Sequence, residues 1–131
     1  MPNAEPELGS PFARTVAERL ATRLKMNVPG RGGPKLNRLI DRVNADDELY
    51  ALWLAANVNA VERLGMTDHG PVHVKIVMNL AHKLLRLLTD QGVQPGIVTH
   101  YGMAREDAEI VVVLAALLHD VGMSIHRADH E

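Results

Sequence analysis

The sequence predicts an all-α fold, and three observations carry that prediction. Aromatic residues are scarce at 3% of the chain. Leu and Ala dominate the apolar set, and β-branched residues never alternate with polar ones over a useful length. The apolar positions instead recur at three- and four-residue steps, the period of a helix with one packed face.

Each element follows from its own signals. Ser10-Pro11 offers a cap followed by a first-turn proline, after which Val16, Leu20 and Leu24 mark a short helix. The tract Val28-Pro-Gly-Arg-Gly-Gly-Pro34 reads as a linker, because Gly and Pro both oppose helix continuation. A second helix begins near Lys35, with Leu36, Leu39, Ile40 and Val43 on its apolar face. Asn44-Ala-Asp-Asp-Glu48 breaks and recaps the chain, since Asn and Asp serve better as N-caps than as helix interiors. Residues 46–64 form the next helix, carrying Leu49, Leu52, Trp53, Ala56 and Ala60 at core spacing and ending at Gly65.

Pro71 then opens a helix that reaches about Thr89, and residues 91–101, with Gly92 and Pro95-Gly96, read as a long loop. From Arg105 the chain is helical to His119. Glu106, Asp107 and Glu109 favour the positive end of that helix, and residues 110–118 are apolar on nearly every side, so a central, buried position is expected. The expected division is an N-terminal helix and Gly/Pro linker over residues 1–34 and a helical domain over 35–131.

With 131 residues, 47% of them hydrophobic, the chain suits one modest domain. A formal charge of −2 gives no field suited to a nucleic acid polymer. The chain has no cysteine, which excludes disulfides and thiolate metal sites, so any metal must be held by His, Asp and Glu. The start of the chain lacks the layout of a signal peptide, and the longest apolar run is far short of the roughly 18 residues that span a bilayer. No membrane partner is expected, and the expected location is cytoplasmic.

The chemistry is concentrated in the histidines. On the Pro71 helix, His73, Val77, Leu80, Leu84 and Leu87 share one face, which is expected to point inward with His73 on it. His82 lies nine residues on, half a turn round, and is expected to face solvent. His119 and Asp120 end the apolar helix side by side, and two such groups are costly to bury unless paired or bound to an ion. His126 and His130, four apart, share a face if their segment is helical, a spacing that suits paired metal or phosphate ligands. Arg127 beside them is a candidate phosphate clamp through its planar fork. His69 in its loop is read as a supporting or turn residue, and His100 as exposed.

Two stretches, His73-Val-Lys-Ile-Val77-Met-Asn-Leu-Ala81 and Leu117-Leu118-His119-Asp120-Val121-Gly122, resemble the ligand helices of the HD-domain metal-dependent phosphohydrolase superfamily, an all-helical family named for its His-Asp pair. The likeness covers about residues 67–131. It implies that His73, His119 and Asp120 are ligands of one divalent ion, with Asp120 central to catalysis. It implies also that His126 and His130 contribute to a second metal or to phosphate binding, Asp120 then bridging the two ions.

The implied cofactor is one or two ions of Mn²⁺, Fe²⁺, Ni²⁺, Zn²⁺ or Mg²⁺. The implied partner is a small-molecule phosphoester, a nucleotide or simple phosphate ester, hydrolysed by metal-activated water. The family's final Asp ligand has no counterpart, Asp129 standing too near Asp120, so the chain resembles the N-terminal portion of an HD-like bundle, incomplete at its C-terminal side. A di-iron oxygenase of the same ligand type and a non-catalytic helical domain are the competing expectations, and an exposed apolar face on such a core would favour a homo-oligomer.

Overall fold

A computed structural model describes residue 18 and residues 22–30 and 32–125. The Ser10-Pro11 cap, Val16 and Leu20 lie outside the described residues, as do His126, Arg127 and His130. Among the described residues the regular elements are all helical and no strand forms.

Helix α1, Pro34–Asn44, starts on its proline and buries Leu36, Ile40 and Val43. Helix α2, Asp47–Asn57, is capped by Asp46, whose carboxylate accepts from the Leu49 amide at 2.9 Å, and it buries Tyr50, Trp53 and Ala56. Its axis continues through a wider π-helical turn, Val58–Arg63, before Gly65 adopts the left-handed conformation that releases the chain. Helix α3, Pro71–Asp90, again has proline in its first turn. Helix α4 is short, Gly96–Tyr101, and helix α5 spans Arg105–Leu118. A single 3₁₀ turn, Val121–Ser124, follows.

The core gathers around Trp53, which is 1% exposed, with Leu36, Val74, Met78, Val113 and Leu117. Each such side chain contributes about 1.5–3 kcal/mol by leaving water. The most extensive packing is between α3 and α5, while α1 lies across α5 and α2 against the 3₁₀ turn. Met26 joins this core from an extended segment that Asn44 holds at both ends: its carboxamide oxygen accepts from the Met26 amide at 2.7 Å and its nitrogen donates to the Met26 carbonyl at 2.8 Å. Leu24, expected on a helix, lies in this extended segment, its amide donating to the Tyr50 hydroxyl. Helical periodicity did not extend to it because tertiary partners took over its backbone.

Four further expectations are corrected. The buried line of α3 is Pro71, Val74, Met78 and His82, while Leu80, Leu84 and Leu87 are each more than half exposed. This helix is apolar on two sides, and spacing identifies both stripes without saying which one packs. His82, expected in solvent, is consequently 2% exposed. Helix α5 is central but not enclosed, since Val111 and Leu118 are about half exposed. Finally, the expected loop over 91–101 contains α4. Pro95 and Gly102 read as breakers, but they stand at its N-cap and its left-handed C-cap, so they bracket a helix.

Candidate metal centre

Three local devices build the site. Asn57 accepts from the His69 amide at 2.9 Å, and Asp68 from the Gly70 amide at 2.9 Å, which together set the entry of α3. A Cβ on Gly70 would meet Asn57 side-chain carbons at 3.0 Å, so only glycine fits that approach without displacement. At the other end, the buried Trp53 indole donates to the Leu117 carbonyl at 2.9 Å, satisfying one of the orphan acceptors that every helix C-terminus leaves. The 3₁₀ turn is then held by Asn59, which donates to the Met123 and Ser124 carbonyls, and by Met123 in a second buried cluster.

These constraints converge three side chains. His73 comes from the first turn of α3, and His119 and Asp120 from the end of α5. The nearest Asp120 oxygen lies 2.9 Å from His119 Nε2 and 3.2 Å from His73 Nε2, and the two imidazole nitrogens are 3.3 Å apart. One ligand atom from each residue falls within 4.8 Å of the others. Asp120 is buried, whereas the two imidazoles are about a third exposed, so the group opens to solvent on the histidine side.

Hydrogen bonding assigns the His119 tautomer. Its Nδ1 lies 2.7 Å from the Ala116 carbonyl, and a carbonyl only accepts, so Nδ1 carries the proton. In the neutral ring Nε2 therefore presents a lone pair toward the Asp120 oxygen. Lone pairs converging at these distances repel unless a proton or cation lies among them. Two imidazoles and a carboxylate form a donor set that suits first-row divalent ions, and a backbone carbonyl on the second ring nitrogen is the usual support of a metal-bound histidine. The residues present thus fit a cation.

His69 stands beside this group, its ring 5.1 Å from that of His73 and its Nδ1 2.6 Å from the Thr67 carbonyl. The same argument leaves its Nε2 with a lone pair. His100 is exposed, as expected.

Three acidic residues of α5 take long-range partners for which there was no sequence signal. Glu106, in the first turn of α5, also caps α1, accepting from the Lys35 and Leu36 amides at 2.6 and 3.1 Å. Asp107 accepts from the Ala104 amide and pairs with Lys35 at 2.9 Å, and the Lys35 bond is the main reason its carboxyl sits below the ordinary range. Glu109 faces His82 at 3.7 Å across the α3–α5 seam.

No helix among the described residues is long and apolar enough to cross a membrane. No family model matches the chain, and no solved structure matches it. It is similar to the uncharacterized protein MJ1020 of Methanocaldococcus jannaschii, with 37% identity over 100 residues, or 76% of this chain. Those residues are 38% of that protein's length, so the chain spans well under half of the relative it matches.

Proposed function

We propose that His73, His119 and Asp120 hold a divalent metal ion and that the protein is a metal-dependent phosphohydrolase acting on a nucleotide or small phosphate ester. The convergence of the three ligand atoms within 4.8 Å, from two different elements, carries this reading. The resemblance of the two ligand stretches to the HD superfamily supplies the reaction class. A bound ion supplies a water acidified toward neutrality and offsets charge on the phosphoryl oxygens.

The chain's own residues do the positioning. Asp120 brings the negative charge that a divalent ion needs, from a buried place at the N-cap of the 3₁₀ turn. His119 is held by its bond to Ala116, and the first turn of α3 places the His73 backbone. Three protein ligands with partly exposed imidazoles leave coordination positions for water and substrate, the layout of catalytic rather than closed structural sites.

Metal analysis of the purified protein, paired with hydrolysis of a nitrophenyl phosphate and a nucleotide panel, tests the reading. The expected result is about one or two ions per chain and hydrolysis that a chelator abolishes. Retained iron with no hydrolysis of any panel member would instead favour an oxygenase.

A further inference from the structure

On the flank of α3, away from the metal centre, a cavity of about 380 Å³ lies between the helix and the Pro29 turn. Its size is at the lower end for small-molecule sites. Pro29, Leu80 and Leu87 give it apolar walls, and Lys83 and Arg86 place two cations on it. Neither cation has a carboxylate partner within 4.0 Å among the described residues. The cavity's acidic residue, Asp90, is engaged by Arg105 at 2.6 Å. Arg86 reaches across to the turn: a Cβ on Gly30 would stand 3.4 Å from its guanidinium nitrogen.

Two polar groups of the lining are incomplete. The Asn79 carboxamide oxygen is buried without a hydrogen-bond partner, and so is Nε2 of His82, whose side chain is 3% exposed. The nearest carboxylate to that nitrogen, Glu109, is 3.7 Å away, too far for a hydrogen bond. Buried polar atoms are normally paired, and each orphan costs about 1–3 kcal/mol. A ligand that completes Asn79 must bring it a hydrogen-bond donor, along with an apolar body for the walls and a negative charge for the Lys83 and Arg86 pair.

We propose that this cavity is a second binding site, distinct from the metal centre, for a small amphipathic organic anion whose head is a phosphate or a carboxylate and whose body carries an N–H or O–H donor. Arg86 clamps the head through its fork, and Lys83 adds a point charge. Asn79 selects for the donor.

Isothermal titration with chelator present uses two probes, adenosine monophosphate for a phosphate head and N-acetyl-leucine for a carboxylate head. Saturable binding of either supports the site and assigns its head group. Arg86→Gln is expected to weaken that binding tenfold or more, about 1.4 kcal/mol, and Asn79→Leu to weaken it as well. Asp120→Asn, which alters the metal centre, is expected to leave it unchanged. Arg86 is partly exposed, so its replacement is compatible with folding, which circular dichroism checks. The proposal is overturned if neither probe saturates below about 5 mM, if Arg86→Gln leaves binding unchanged, or if Asp120→Asn abolishes it.

Discussion

Helices α3 and α5 run antiparallel, and their seam carries a histidine facing a carboxylate at each end. At one end His73 meets Asp120 and His119. Nine residues on along α3, and eleven back along the chain from Asp120, His82 faces Glu109. The chemistry is similar and the surroundings are not. The first group has three convergent ligand atoms, imidazoles open to solvent and a carbonyl that fixes one tautomer. The second has a single imidazole and a single carboxylate, 3.7 Å apart and both largely buried. One imidazole and one carboxylate beyond hydrogen-bond distance offer too few ligands for a catalytic ion. The number of convergent donors and their access to solvent, rather than the presence of a His–carboxylate pair, distinguish the candidate metal centre.

Substitutions at the two ends should therefore separate cleanly. His119→Ala is expected to have the largest effect, lowering metal affinity and phosphoester hydrolysis by more than about 100-fold with little change in thermal midpoint. Metal titration alongside a melting curve measures both. At the closed end the signature is reversed. His82→Leu removes an imidazole whose Nε2 has no hydrogen-bond partner and leaves Glu109 facing an apolar side chain, so it is expected to cost no more than about 1–3 kcal/mol, and adding Glu109→Leu to recover most of that loss. Denaturant unfolding gives the stabilities, and metal content should remain that of the wild type in both variants.

Between the two ends lies the anchor that holds α5 against α2. Trp53→Phe removes the donor to the Leu117 carbonyl and is expected to cost about 1–3 kcal/mol. It should also weaken metal binding, because the residues that follow Leu117 are His119 and Asp120. If metal affinity is untouched while stability falls, the indole positions the core and not the site.

The smallest effect is expected at Asp107, at the opposite end of α5 from His119 and Asp120. Its bonds to Lys35 and to the Ala104 amide hold its carboxyl below the ordinary value of 3.8. The stabilisation is thus fully present above that value and is lost as the pH falls through the lowered one. Asp107→Asn should lower the melting temperature slightly at neutral pH and make no difference in strong acid, as paired melting curves across that range would show.

What could be read before the structure follows the same division. Capping residues, first-turn prolines and three-four spacing located α1, α2, α3 and α5, because those signals are local. The grouping of His73 with His119 and Asp120 came instead from the resemblance of two stretches to the HD superfamily. Spacing set His73 and His82 half a turn apart and assigned the inward face to the Leu80 and Leu84 stripe. Packing instead chose Val74, Met78 and His82. Such a choice depends on what α5 presents, and local spacing carries no trace of it. Glu106 capping α1 is hidden for the same reason, since donor and acceptor lie about 70 residues apart in sequence.

The most direct test of the account is the metal content of purified wild-type, His119→Ala and His82→Leu/Glu109→Leu proteins after dialysis against Mn²⁺ or Zn²⁺. The account predicts about one bound ion or more in the wild type and in the double variant, and almost none in His119→Ala. Less than about a tenth of an ion per chain in the wild type, or equal occupancy in all three proteins, would contradict it.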